Sequence, residues 1–196
     1  MQKAFYQKTF NIIRYLSIYA ILSIVLSFTF HILIFLLNNE IFSKRVTIIQ
    51  SKLHLISMLL LLIGILLFIL LSTLLIIELI DRYKTDKISN YIESVKQTMR
   101  LRYFLIQHEA SSPSANSFQR NQILRNFNKS LSNCIVDVRN ESVIVALKYP
   151  ASQQSQQIFR NMESHVKEEI SNYNPKFYFS SPERIGNRLF YKGSKR

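Results

Sequence analysis

The stretch LISMLLLLIGILLFILLSTLLIIELI, Leu55 to Ile80, holds 26 residues and meets its first acid only at Glu78. As a helix it extends about 39 Å, beyond the roughly 30 Å of a bilayer's hydrocarbon layer. Upstream, YLSIYAILSIVLSFTFHILIFLL, Tyr15 to Leu37, adds 23 residues in which His31 is the one group that titrates near neutrality. Lipid offers backbone amides no water, so runs of this kind are expected as helices. Asn38-Asn39-Glu40 follows the first run where a signal peptide would carry small residues for cleavage, so this run is read as a retained span. The two runs predict a transmembrane hairpin over residues 15–80, with spans at about 15–37 and 55–80.

Neither span is featureless. Ser17, Ala20, Ser23, Ser27 and His31 share an arc of about 120° on a helix of 3.6 residues per turn. Ser57, Gly64, Leu71 and Glu78 recur every seventh residue. Small, weakly polar stripes let helices approach closely, so the two are expected to face each other. A sharper reading makes His31 or Glu78 part of a proton or ion route, because ionisable groups at membrane depth are rare. Arg14 and Glu78 sit at matching depth and are expected to approach. The predicted helix contacts are therefore Arg14, Ser23, Ser27, His31, Gly64 and Glu78.

Charge sets the expected orientation. A basic N-terminal segment, residues 1–14, carries Lys3, Lys8 and Arg14, and Arg82, Lys84, Lys87, Lys96 and Arg100 follow the second span. The intervening loop carries Lys44, Arg45 and Lys52. Eight cations against three put both termini on the cytoplasmic or matrix side, in a bacterial plasma membrane or an organelle inner membrane. Residues 81–196 hold 19 Lys/Arg against 10 Asp/Glu, most of the chain's net charge of +13. An excess of this size calls for an anionic partner surface.

No Gly or Pro interrupts the chain between Gly64 and Pro113, so the second span is expected to continue as a juxtamembrane helix through residues 81–109. Ile88, Ile92, Val95, Met99 and Ile106 recur at helical steps, with Arg102 breaking the series. That stripe is expected to pack on the protein's own domain; a coiled-coil homo-oligomer is the alternative. The Ser-, Pro- and Asn-rich segment 110–117 reads as a linker.

Residues 118–196 read as a basic α+β domain. Phe118, Ile123, Leu124, Phe127 and Leu131 mark a short helix, and CIVDVRN and VIVALKY alternate as two strands of a hairpin. A helix over about 152–173 follows, and KFYFS is expected to pair with RLFYK across a loop at residues 181–187. The order α-β-β-α-β-β predicts an antiparallel sheet covered by helices on one face.

Nothing in the chain spells out a reaction. Cys134, Asp137 and His165 have the residue types of a nucleophile set but no spacing that joins them. His54, His108 and His165 lack metal-ligand spacing, and three glycines leave no phosphate loop. No enzyme, cofactor or metal is expected. The distinctive surface motif is RIGNRLFYKGSKR, Arg184 to Arg196, with five cations and no acid. Its candidate partner-binding residues are Arg184, Arg188, Lys192, Lys195 and Arg196, with Phe190 as a packing anchor. The leading expectation is a membrane-anchored subunit or adaptor that docks other membrane-complex subunits, its basic domain also meeting anionic lipid headgroups. Aromatics among cations on an open sheet face suit single-stranded nucleic acid as the alternative. A sensor or small oligomeric pore is the second alternative.

Overall fold

A computed structural model describes residues 5–37, 44–108 and 115–196. It comprises α1 (Phe5–Leu37), α2 (Lys44–Thr85), α3 (Ile88–Leu105), α4 (Ala115–Leu131), β1 (Ile135–Val138), β2 (Ser142–Lys148), α5 (Gln153–Tyr173), β3 (Phe177–Phe179), β4 (Glu183–Ile185) and β5 (Arg188–Lys195). The chain divides into two compact units, Lys8–Glu78 and, with the residues around Tyr6, Leu79–Arg196.

The first unit is a pair of long apolar helices, able by length and composition to cross a bilayer. Only 17% of the most apolar window of α1, and 11% of that of α2, is buried within the protein. A soluble core helix would bury most of such a window, because exposed apolar area is unfavourable in water. What is buried is the weakly polar seam. Ala20, Ser23, Ser27 and Ser57 are all shielded, and Ser27 Oγ donates to the Ser57 carbonyl at 2.8 Å. A β-carbon added at Gly64 would lie 2.8 Å from both Ser23 Oγ and Ile24 Cγ1, so glycine permits the approach.

The second unit is a five-stranded antiparallel sheet in the order β1-β2-β5-β3, with β4 also pairing to β5. Strands β3 and β4 share one edge of β5, at its two ends. Phe177–Phe179 pairs with Gly193–Lys195, and Glu183–Ile185 with Arg188–Phe190. The sequence expectation of KFYFS against RLFYK is thereby corrected, because RLFYK is occupied by β4 and β2 while KFYFS reaches the GSK end. Gly186, with φ of 62°, makes the β4–β5 turn.

Leu101 and Leu105 of α3, Phe127 and Leu131 of α4, and Phe159, Val166 and Ile170 of α5 cover one face of the sheet. They meet the alternate residues Val136, Val138, Val143, Val145, Leu147, Leu189 and Tyr191.

Two departures from the expected juxtamembrane helix share one cause. Helix α2 stops at Thr85, and Lys87 is extended at φ −110° and ψ 138° before α3 begins. The turn is held by Asp86, whose carboxylate accepts from Asn90 Nδ2 at 2.7 Å and the Asn140 amide at 3.0 Å. This redirects α3 along the open edge of β1. There Ser94 and Thr98 each bond both the N–H and the C=O of one strand residue, Val138 and Val136, and Arg102 donates to the Cys134 carbonyl. Four helical residues rise about 6 Å and two strand residues about 6.6 Å, so side chains at i, i+4 and i+8 keep step with alternate strand amides. The ladder satisfies an edge that would otherwise be open to pairing with another chain.

Burying this polar face turns the expected apolar stripe outward, which corrects the sequence reading. Ile88, Ile92, Met99 and Ile106 are 46–53% exposed. Of the expected linker, residues 110–114 lie outside the described residues, while Ala115–Ser117 are helical and open α4.

Candidate partner-binding surface and a buried arginine centre

Strand alternation splits the six residues predicted to bind partners. Arg188, Phe190 and Lys192 point away from the helix-covered core, which takes Leu189 and Tyr191 instead. Phe190 is only 5% exposed, between Ala146 on β2 and Glu183 on β4, so it packs within the sheet rather than presenting an anchor. Arg184 stacks over Tyr149 at 4.2 Å and donates to the Gly186 carbonyl. Lys192 pairs with Glu183, and Lys195 with Glu141 at 2.8 Å, all four side chains being exposed. The Arg196 amide donates to the Lys176 carbonyl at 3.0 Å, placing two cationic residues side by side.

One pairing stands out. Arg188 lies directly opposite Lys148 in the β2–β5 register, and neither has an acidic partner among the described residues. Like charges opposite each other in an antiparallel pair are unfavourable by a few tenths of a kcal/mol or more, about 0.2–1 by analogy with favourable pairs. Ile185, opposite Arg188 on β4, is 44% exposed, so an apolar side chain borders the two cations. Among the aromatics of β3, Tyr178 is exposed while Phe179 is buried.

A second centre, which sequence reasoning missed, lies inside the domain. Arg82 is fully buried. Its guanidinium donates to Asp137 Oδ1 at 2.7 Å, the Val138 carbonyl at 2.8 Å and Asp86 Oδ2 at 3.3 Å. The rings of Tyr6 and Tyr91 flank it at 5.0 and 5.8 Å and meet edge to face. Arg139 extends the network to Asp137 and Asp81. Burial pushes the Asp137 carboxyl above the usual carboxylate range, while Arg82 and then Arg139 pull it back. In the sequence, Arg82 reads as one more cation at a membrane exit, and Asp137 as the polar side of a strand. Only the edge position of β1 brings them together.

The hairpin residues are distributed as follows. Ser23, Ser27 and Gly64 form the seam already described. Arg14 donates to the Tyr15 hydroxyl at 3.1 Å, Glu78 is fully buried, and His31 meets His54 edge to face at 5.9 Å between ring centroids. Cys134 is buried on the helix-covered side of the sheet, Asp137 is bound to Arg82, and His165 is exposed on α5, so the three residues form no nucleophile set. Among the described residues no three His, Cys, Asp or Glu side chains cluster to hold a metal. A groove of about 600 Å³ between α4 and α5 is floored by Ile123, Leu124, Ile158 and Met162 and rimmed by amides, with Arg120 as its one charge. Comparison with protein-family models, with curated proteins and with solved structures returns no match.

Proposed function

We propose that this chain is a non-catalytic, membrane-anchored subunit or adaptor. It crosses the bilayer twice, keeps both termini on the cytoplasmic or matrix side, and holds an acidic face of a partner subunit against its β2–β5–β4 surface. The observation that carries the reading is the Lys148–Arg188 juxtaposition, two cations opposed at one end of the β2–β5 pair beside Ile185, with Lys148 exposed and Arg188 half-buried. An acidic partner relieves that repulsion, and the neighbouring apolar side chain supplies area to bury. Anchoring confines the domain to a thin layer at the membrane and raises its effective concentration toward partners there.

The test is reversal of both charges, Lys148→Glu with Arg188→Glu, followed by gentle detergent extraction and identification of retained subunits. The reading expects the retained set to shrink while Cys134 stays unreactive to maleimide, showing an intact fold. An unchanged set overturns it. Nucleic acid in the retained material, released with a steep dependence on salt, would favour the nucleic-acid alternative instead.

The buried arginine centre favours a second reading. The last two turns of α2 belong to the domain and are tied to β1 through Arg82, so a movement of this helix would be felt at the sheet edge. A sensor needs such a coupling. It predicts that the double variant Arg82→Met with Asp137→Leu, which removes the tie without stranding the Asp137 charge, uncouples a membrane stimulus from domain exposure without releasing retained subunits.

A further inference from the structure

Helix α3 is amphipathic the wrong way round for a soluble domain. Its sheet-facing side buries Ser94, Gln97, Thr98 and Arg102 together with Leu101 and Leu105. Its outer side carries Ile88, Ile92, Val95, Met99 and Tyr103 within an arc of about 80°. Of these, Ile88, Ile92 and Met99 are about half exposed and Tyr103 is 79% exposed. Val95 is half-buried, and the polar ladder to β1 dictates that the stripe point outward.

We infer that the outer face of α3 is an interfacial helix, seated in the headgroup and upper acyl region of an anionic bilayer. Three observations select lipid as the occupant. First, α3 begins three residues after a candidate span ends, with Thr85 and Ile88 its boundary residues, so the chain itself delivers this helix to the membrane surface. Second, the ends of the segment carry exposed tyrosines, Tyr83 at 77% and Tyr103 at 79%, the side chain that settles at headgroup depth. Third, charge is complementary. Lys84, Lys87, Lys96 and Arg100 are exposed along this segment against the single exposed acid Glu93, and Asp86 is buried with Arg82. An apolar stripe with cations beside it is the pattern by which helices lie in an anionic interface. A second copy of the chain is the weaker occupant, because Arg102 interrupts the heptad and the helix has only 18 residues. This inference rests on the two spans and not on the docking role of the β2–β5–β4 surface.

The test uses the full chain, one copy per nanodisc, in equal parts phosphatidylcholine and phosphatidylglycerol. An environment-sensitive fluorophore is attached at Ile92→Cys, at Met99→Cys and, as control, at Glu168→Cys on the exposed side of α5. The native thiol of Cys134 is fully buried and takes no label in the folded protein. The inference expects emission at positions 92 and 99 to be quenched by acyl-chain-brominated lipid several-fold more than at 168, and shielded from iodide. In phosphatidylcholine alone the docked population should fall by about fivefold for each cation that faces the surface. Iodide quenching at 92 and 99 equal to that at 168, with no effect of brominated lipid, overturns it. So does shielding that appears only when two copies share one disc, which would make the stripe a seam between copies. Partner retention is not read in this experiment, so its failure leaves the docking proposal untouched.

Discussion

Replacing Arg82 by alanine leaves Asp137 and Asp86, whose side chains are 1% exposed, without their shared cation. Breaking a buried pair from one side costs about 3–5 kcal/mol, because the remaining charge keeps its desolvation penalty and loses its compensation. No discount for solvent screening applies where both partners are excluded from water. The chain carries its own reporter: Cys134 is the single cysteine, lies at the start of the β1 edge and is fully buried. Maleimide reaches it only when the domain opens, so its labelling rate follows the opening equilibrium. At about 1.4 kcal/mol per factor of ten, Arg82→Ala should label roughly a hundred- to several-thousandfold faster than wild type. The double variant Arg82→Met with Asp137→Leu removes both charges and should recover most of that loss.

The same centre gives the pH dependence a definite sign. The folded-state Asp137 carboxyl titrates above its unfolded value because burial outweighs the pull of Arg82 and Arg139. Such a group favours folding when protonated, and this contribution is lost as pH rises through the folded-state value. Removing Arg82 deletes the largest opposing influence and raises that value further. The deficit of Arg82→Ala against wild type should therefore be greatest at neutral pH and shrink as the medium is acidified toward the unfolded carboxylate value of about 3.9. Labelling within about a factor of ten of wild type at neutral pH, or a deficit that grows on acidification, would refute the reasoning.

Other expectations follow from close contacts. Thr98→Val keeps the shape but leaves the Val136 N–H and C=O without their hydroxyl partner, a loss of about 1–3 kcal/mol visible as faster hydrogen exchange at the Val136 amide. Gly193→Ala drives a methyl group to within 2.8 Å of the Phe179 ring and should cost about 1–3 kcal/mol, read by Cys134 labelling. Gly64→Ala meets Ser23 and Ile24 at the same distance and should lower the mixed-micelle SDS midpoint of the hairpin by a similar free energy, about 1–3 kcal/mol.

What the sequence made legible depended on whether apolar periodicity was the deciding force. The two long helices are read from length alone, and alternation in CIVDVRN and VIVALKY marks β1 and β2 because their inner residues meet a helical layer. Helix α3 escaped that logic. Its buried face is chosen by backbone groups of β1 in need of partners, and periodicity counts apolar residues. The signal was present as Ser94, Thr98 and Arg102 at steps of four, yet such a ladder has meaning only once an edge strand lies beside it. The stop at Thr85 had no Gly or Pro to announce it; Asp86 holds the turn through Asn90 and Asn140, one of them far along the chain. All three residues of strand β4 are exposed and show no apolar alternation, although Gly186-Asn187 is a recognisable hairpin turn. The cationic surface was legible as composition. Its pairing partners, Glu183 and Glu141, required the register.

The central claim is that lipid surrounds α1 and α2 and that the basic domain shares a side with the amino terminus. Tags at both ends, with a protease site inserted between Asn39 and Glu40, test it in sealed vesicles of known sidedness. The account predicts that external protease on right-side-out vesicles cuts the loop site and spares both tags, and that inverted vesicles give the reverse. Tags cleaved on opposite sides, or a chain washed from the vesicles by alkaline carbonate, would contradict it.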